Sequence, residues 1–172
     1  MRFNMSKISK HFTLGEATWS REAASRGIEN SLDDKAILKK IRAVARNILE
    51  PVRKHYGVPF RPNSFYRNKV VNRLVGGVKN SQHLKGEAVD FEIATVDNQR
   101  LFNWIKKNLD FDQLILEYYN KSKGKNSGWV HCSYKNELAN RNQAILITPH
   151  PKSGKWYRRY LPKNMNKKRE YV

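Results

Sequence analysis

One long amphipathic segment, followed by several short apolar runs, is the feature that most constrains the fold of this chain. From Asp33 the apolar residues recur at the spacing of one helix face; they are Ile37, Leu38, Ile41, Val44, Ala45, Ile48, Leu49 and Val52. We expect Pro51 to kink or end this helix and Gly57 to close the region. A shorter helix is predicted over 13–25, because a Thr and a Glu three residues apart form a capping box at its start.

Beyond residue 57 the pattern changes to short strands. We predict strands over 58–66, 88–93, 112–118, 129–134, 144–148 and, more weakly, 156–161, with helices over 68–74 and 97–107. Two prolines in the first of these strands predict an edge or irregular strand. The layout indicates an α+β fold in which N-terminal helices pack on a small, mainly antiparallel sheet. We expect a single domain over 1–172, with a basic, mobile tail from about residue 163.

Composition excludes several classes of protein. The chain has 172 residues, 39% of them hydrophobic, which suits one globular domain. A single cysteine, Cys132, excludes an internal disulfide framework and a multi-cysteine zinc site. No apolar run approaches the length of a membrane span. The basic N-terminus is followed by no apolar core, so we expect no conventional signal peptide.

The net charge of +19 is a clue to partners. Such a charge favours polyanions, among them nucleic acid, anionic lipid and an anionic bacterial envelope, although a basic proteome would also produce it. Basic and aromatic residues alternate over 155–160, which could stack on nucleobases. An edge strand with solvated charges explains this segment better, so we do not expect nucleic acid as a specific partner.

Two histidines and an aspartate predict a metal site. Gly86 allows a tight turn between His83 and Asp90, so that Asp90 points inward from the strand that follows. His131 lies in a later strand, and alternation turns Cys132 to the opposite face, where we expect it in the core. A carboxylate among apolar residues needs a cation or several donors. Two imidazoles and one carboxylate suit a catalytic zinc ion whose fourth position takes water, so we predict a metal-dependent hydrolase.

Such a hydrolase also needs a general base. Glu117 ends an apolar strand, where desolvation would raise its pKa towards a useful range. The alternative is a strand-end carboxylate paired with a lysine, and the residues alone do not separate the two. Asp112 and Glu137 are weaker candidates for the same role.

Several blocks of the chain resemble the M15 zinc peptidases. The blocks are Ser64-Phe65-Tyr66-Arg67, Asn72, Gly76-Gly77, Ser81 to Phe91, Phe111 to Glu117 and Trp129 to Tyr134. The resemblance runs from about residue 8 to 136 and is strongest to the branch of D-alanyl-D-alanine carboxypeptidase-like and phage lysis enzymes. It implies a fold of the M15/hedgehog-like type, with a zinc site on the sheet.

The resemblance also implies roles for individual residues. It makes His83, Asp90 and His131 the zinc ligands and Glu117 the catalytic base. Arg67 matches the arginine that holds the substrate carbonyl or carboxylate, consistent with its forked donors. Ser81 and Gln82 would line the cleft or orient ligands.

The spacing of the base departs from the usual pattern of the family. The acid usually lies only a few residues before the second histidine, whereas Glu117 precedes His131 by fourteen. In other branches the acid lies three residues before the histidine, where this chain has Gly128. The Lys-rich segment 120–127 resembles an insertion between two strands, so Glu117 remains the better candidate.

The implied activity is zinc-dependent hydrolysis of peptide bonds in the peptidoglycan stem or cross-link, where D-amino acids occur. We expect a monomeric cell-wall lytic enzyme of phage or prophage origin, an endopeptidase or a carboxypeptidase. It would stay in the host cytoplasm until a lysis system releases it, or travel in a virion, and its basic surface would contact anionic envelope polymers. The alternative is a catalytically inactive, zinc-bearing module that binds the envelope or forms part of a virion.

Overall fold

A six-stranded mixed sheet is the centre of the structure, a computed structural model that describes residues 6–150 and 153–162. The predicted mobile tail from about residue 163 lies outside the described residues. The strands are β1 Pro62–Ser64, β2 Ala88–Phe91, β3 Gln113–Glu117, β4 Trp129–Ser133, β5 Gln143–Pro149 and β6 Trp156–Leu161. Their order is β1-β2-β4-β3-β5-β6, and β3 and β5 run parallel while the other neighbours are antiparallel. This confirms the α+β class.

The helices precede the sheet or connect its strands. They are α1 Leu14–Thr18, α2 Arg21–Ser25, α3 Lys35–Val44, α4 Glu50–Tyr56, α5 Lys69–Leu74 and α6 Asn98–Asn108. The single helix predicted over 13–25 is wrong, because two short helices occupy the segment. The backbone is extended at Trp19, and the Ser20 side chain then caps α2 by accepting from the Ala23 N–H.

The long amphipathic helix continues through Pro51. A π-helical turn, Ala45–Leu49, joins α3 to α4, and the Glu50 N–H donates to the Ala45 carbonyl five residues back. Proline has no N–H and its ring crowds the carbonyl four residues earlier, so an α-helix would be strained here. The wider π turn accommodates this residue, and the helix changes its winding instead of ending.

The sheet has two unlike faces. The face towards the helices is formed by fully buried apolar side chains, namely Val89, Phe91, Leu114, Leu116, Val130 and Cys132. Cys132 is thus a core residue, as predicted. Replacing one such leucine with alanine costs about 2–5 kcal/mol. The opposite face presents Asp90, His131 and Glu117, so the core fixes the plane on which the polar side chains lie.

The two edges of the sheet were predicted unequally well. The strand expected over 58–66 is reduced to the three residues of β1, which form an edge with an irregular register, as two prolines predict. The weakly predicted strand β6 is present at the other edge and pairs with β5 along its length. Within the described residues, no helix is both long and apolar enough to cross a membrane.

Candidate metal centre and active site

Asp90 and His131 face each other across two adjacent strands. They are direct partners in the antiparallel ladder between β2 and β4. Side chains of such partners point to the same face and lie close together. His131 Nδ1 is accordingly 2.8 Å from Asp90 Oδ1, and both residues are buried. Strand register alone therefore brings together two of the three predicted metal ligands.

His83 completes the group from a tight turn before β2. Gly86 closes that turn with φ +66°, and an added Cβ would lie 2.8 Å from side-chain atoms of both Ile37 and Ile41 on α3. The turn brings His83 Nε2 to 3.2 Å from Asp90 Oδ2. The predicted role of Gly86 in bringing these two side chains together is confirmed.

A backbone carbonyl orients the His83 ring. His83 Nδ1 lies 2.6 Å from the Phe65 carbonyl oxygen. Because a carbonyl only accepts hydrogen bonds, Nδ1 is the protonated nitrogen and Nε2 has its lone pair free. The backbone N–H of Arg67 donates to the backbone carbonyl of His83 at 3.2 Å. This bond holds the segment of Phe65 and Arg67 against the turn that contains His83. Such outer hydrogen bonds are typical of metal-binding histidines.

The charges of the site favour the protonation states that bind a metal. Burial lowers the pKa of His83, against the opposing effect of the Asp90 charge, so its imidazole is neutral. Burial alone would raise the pKa of Asp90, but the two imidazoles and their hydrogen bonds hold it well below its ordinary value. Neutral histidine and ionised aspartate are the forms that a divalent cation requires.

The three side chains fit a zinc ion. Their candidate ligand atoms, two nitrogens and one oxygen, all lie within 4.8 Å of one another, and all three residues are buried. This donor set is that of catalytic zinc sites with three protein ligands and an open fourth position. Other divalent ions accept the same donors, so the geometry supports a metal site without fixing the metal.

Arg67 lies against this group. Its guanidinium donates to Asp90 Oδ2 at 2.8 Å and to Ser64 Oγ at 2.7 Å. These bonds fix the orientation of the arginine beside the candidate ligands and leave further N–H donors of its fork for a substrate. The structure places Arg67 where the predicted contact with a substrate is possible, and that contact stays a prediction.

Ser81 and Gln82 hydrogen-bond within the protein. Ser81 Oγ accepts from the His83 N–H at 3.3 Å, and Gln82 Nε2 donates to Asp112 Oδ2 at 2.8 Å. Asp112 is fully buried and accepts two further side-chain bonds from Arg141, at 2.7 and 2.8 Å. Asp112 is therefore a structural carboxylate and a poor base. The roles predicted for Ser81 and Gln82 in substrate binding stay predictions.

Glu117 lies on the same sheet face as the metal group. It pairs with Trp129 on β4, two residues before His131, so it is a diagonal neighbour of that histidine at about 7 Å. Burial raises the pKa of Glu117, the His131 imidazole opposes the rise, and the Asp90 charge adds to it. Glu137, the other candidate, is exposed in the segment between β4 and β5. A half-buried carboxylate with a raised pKa beside a metal site suits a general base.

The hairpin between β3 and β4 explains the long spacing between Glu117 and His131. The loop contains a short 3-10 turn, Lys121–Lys123, and returns through Gly128, where φ is +66°. A Cβ on Gly128 would lie 1.9 Å from the Glu117 carbonyl oxygen. The Asn98 amide, at the start of α6, donates to the Gly128 carbonyl at 3.1 Å. Residues 120–127 thus lie against the segment that leads into α6 and leave Glu117 in register with Trp129.

Sequence reasoning missed the aromatic residues next to Glu117. The Tyr118 ring lies 5.3 Å from that of Trp129 and 5.2 Å from that of Trp156, measured between centroids. Alternation in β6 places Trp156, Arg158 and Tyr160 on one face, which the residues alone could have indicated. That this face coincides with the face of Glu117 depends on the order of the strands, which local patterns do not give.

Comparison with known proteins agrees with this geometry. No curated protein matches the chain significantly. The family model described as peptidase M15 matches residues 10–133, which is more than half of the chain and includes every candidate site residue named above from Arg67 to His131. The match indicates a metallopeptidase, in keeping with the possible metal site formed by His83, Asp90 and His131. The chain belongs to the peptidase M15 family.

Proposed function

We propose that this protein is a zinc-dependent peptidase that cleaves peptide bonds in the stem or cross-link of bacterial peptidoglycan. The observation that supports it best is the convergence of His83, Asp90 and His131 on one sheet face beside Glu117, in a chain of the M15 family. A purely structural metal site would have no use for a half-buried carboxylate with a raised pKa beside it.

The side chains of the site suit amide hydrolysis. A zinc ion held by His83, Asp90 and His131 would supply a Lewis acid that polarises the scissile carbonyl and acidifies water. Glu117 takes a proton from the attacking water as the carbon–oxygen bond forms, and later gives it to the amine as the carbon–nitrogen bond breaks. Arg67, fixed by Ser64 and Asp90, holds the negative charge that develops on the substrate oxygen.

The choice of peptidoglycan rests on charge and on the resemblance to cell-wall enzymes. A net charge of +19 accelerates encounter with an anionic envelope. We include in the proposal a phage or prophage origin, with delivery by a lysis system or a virion. The masses of the released peptides distinguish a carboxypeptidase from an endopeptidase.

Mass spectrometry of the products released from purified peptidoglycan tests the function. The zinc-loaded wild type should release new peptides, and Glu117→Gln should reduce the rate by about 10²–10⁴-fold. Glu137→Gln is the matched control, because it removes the same charge at an exposed position and should leave the rate unchanged. Zinc content, measured by atomic absorption, should be equal in all three proteins.

Two results would contradict the proposal. Equal products from the wild type and Glu117→Gln would show that Glu117 is not the base. No products from the wild type, with one zinc ion bound and peptidoglycan retained in a pull-down, would favour the inactive envelope-binding module.

A further inference from the structure

The hairpin of β5 and β6 extends the active face of the sheet beyond the part of the chain that the family model matches. That match ends at residue 133, whereas β5 and β6 cover Gln143–Pro149 and Trp156–Leu161. Since β5 pairs in parallel with β3, the strand that ends in Glu117, the added hairpin is continuous with the site.

Strand register places Arg158 in line with Glu117. Leu116 pairs with Leu146 across β3 and β5, so the next residues, Glu117 and Ile147, share a row on the opposite face. Ile147 in turn pairs with Arg158 on β6. Two strand spacings of about 4.8 Å separate the backbones of Glu117 and Arg158, about 10 Å in all.

The charge of Arg158 is available to a ligand at the site. Its side chain is exposed, and it forms no ion pair with any residue in the described part of the chain. Burial raises the pKa of Glu117, and the positive charge of Arg158 opposes that rise, so the two side chains are near enough to interact. An exposed guanidinium with free donors binds a carboxylate through two parallel hydrogen bonds.

An aromatic surface next to Glu117 extends from β4 to β6. Tyr118 follows Glu117 directly with φ +54°, a left-handed conformation that is uncommon for a residue with a side chain. This conformation directs its ring to Trp129 on β4 and to Trp156 on β6. Tyr118 and Trp156 remain 43% and 44% exposed, so the surface can still contact a ligand.

We propose that Tyr118, Trp129, Trp156 and Arg158 form a substrate-binding wall that selects acidic peptides, with Arg158 binding a substrate carboxylate. The carboxylate lies about three residues from the peptide group that Glu117 reaches, because the distance of about 10 Å between the backbones of Glu117 and Arg158 spans about three residues of extended chain. The aromatic rings contact the apolar parts of the intervening residues. This inference rests on the proposed peptidase function, whose active site the wall adjoins.

Calorimetric titration with soluble stem peptides tests the wall separately from turnover. The zinc-loaded Glu117→Gln protein keeps the peptides intact, and Arg158→Gln is added to it. We expect Arg158→Gln to raise Kd about tenfold for the unmodified peptides. Peptides whose carboxylates have been converted to amides should bind the Arg158 protein about as weakly, and Arg158→Gln should have no further effect on them.

Arg159→Gln is the matched control. Arg159 pairs with Leu146 and therefore belongs to the opposite face of β6, so the variant removes the same charge without altering the wall. Its Kd should stay within about twofold of the parent. Equal losses in both arginine variants, equal losses on amidated peptides, or preferential binding of a single-stranded oligonucleotide would each overturn the proposal.

Cleavage assays of the wild-type and Arg158→Gln enzymes distinguish failure of the substrate-binding wall from failure of the peptidase function. If the wild type cleaves peptidoglycan peptides and Arg158→Gln leaves both Kd and kcat/KM unchanged, the wall is refuted and the peptidase function stands. If no protein cleaves but the carboxylate-dependent loss of binding is observed, the wall stands as a peptide-binding surface and the peptidase function is refuted.

Discussion

Gly128 offers the sharpest test of how the active site is built, through the single change Gly128→Ala. Two costs follow from the structure. The backbone has φ +66°, and holding an alanine in the left-handed region costs about 1–2 kcal/mol. The new methyl group would also lie 1.9 Å from the Glu117 carbonyl oxygen and 2.7 Å from the Tyr118 carbonyl carbon. These are backbone atoms, which cannot rotate away, so we add about 1–3 kcal/mol for overpacking.

Gly57→Ala isolates the second cost. Gly57 ends α4 with the same φ of +66°, but an added Cβ meets no atom within 4 Å there. Both changes are Gly to Ala, so their effects on the unfolded chain cancel in the comparison. In urea unfolding, we expect Gly57→Ala to lose about 1–2 kcal/mol and Gly128→Ala to lose about 1–3 kcal/mol more.

The same variant should separate catalysis from metal binding. Gly128→Ala pushes directly on the backbone of Glu117, whereas His131 is held by its ladder with β2. A displacement of about 1 Å in a catalytic group can reduce the rate about 10²-fold. We therefore expect peptidase activity to fall strongly while zinc is still bound. Equal unfolding free energies for the two variants, or an unchanged rate in Gly128→Ala, would refute the close approach and the position assigned to Glu117.

Three further predictions concern the metal, a buried carboxylate and the loop. Zinc at about 100 times its Kd should raise the free energy of unfolding by about 2.7 kcal/mol, and His83→Ala should abolish that gain in urea titrations. Burial alone would raise the pKa of Asp112, but the hydrogen bonds from Arg141 and Gln82 hold it below its ordinary value. The stabilisation from Asp112 is therefore present above its ordinary pKa and is lost as the pH falls through the lowered value. Asp112→Asn should lose about 1.5–3 kcal/mol at pH 7 and show a weaker loss of stability in acid than the wild type. Asn98→Ala removes the amide that holds the Gly128 carbonyl, and should cost about 1–3 kcal/mol and increase amide exchange in the loop.

The metal group was predictable because its geometry is mostly local. The turn between His83 and Asp90 needs only one glycine, and strand alternation decides which side chains face together. His131 could be assigned to the same face from the pattern of its own strand. What the residues could not give was the direct pairing of Asp90 with His131, because register depends on the whole hairpin and on the helices that cover the other face.

Local patterns gave an incomplete or wrong answer where distant contacts decide the outcome. The break at Trp19 depends on packing of two short helices against β1 and α5, which no local periodicity shows. At Pro51 we predicted a kink or an end, and local patterns did not give the π turn by which the helix continues. The sheet is mainly antiparallel, as predicted, but the parallel pairing of β3 with β5 was not foreseen, because the chain after β4 crosses β3 to reach its other side and short strands do not encode that choice locally.

The position of Glu117 shows why spacing along the chain is a weak guide to a catalytic base. Glu117 precedes His131 by fourteen positions, yet hairpin pairing places it only two positions after Ile115, the partner of His131, and directly opposite Trp129. Chain length between paired strands affects closure entropy only weakly, by about 0.6 kcal/mol for each doubling of a loop. A loop as long as 120–127 is therefore compatible with the pairing as long as the register survives, and Gly128 permits the close return that preserves it. For this protein, the proximity of an acid to the second histidine is a property of the β3–β4 ladder, and the ladder is the feature by which a base should be sought.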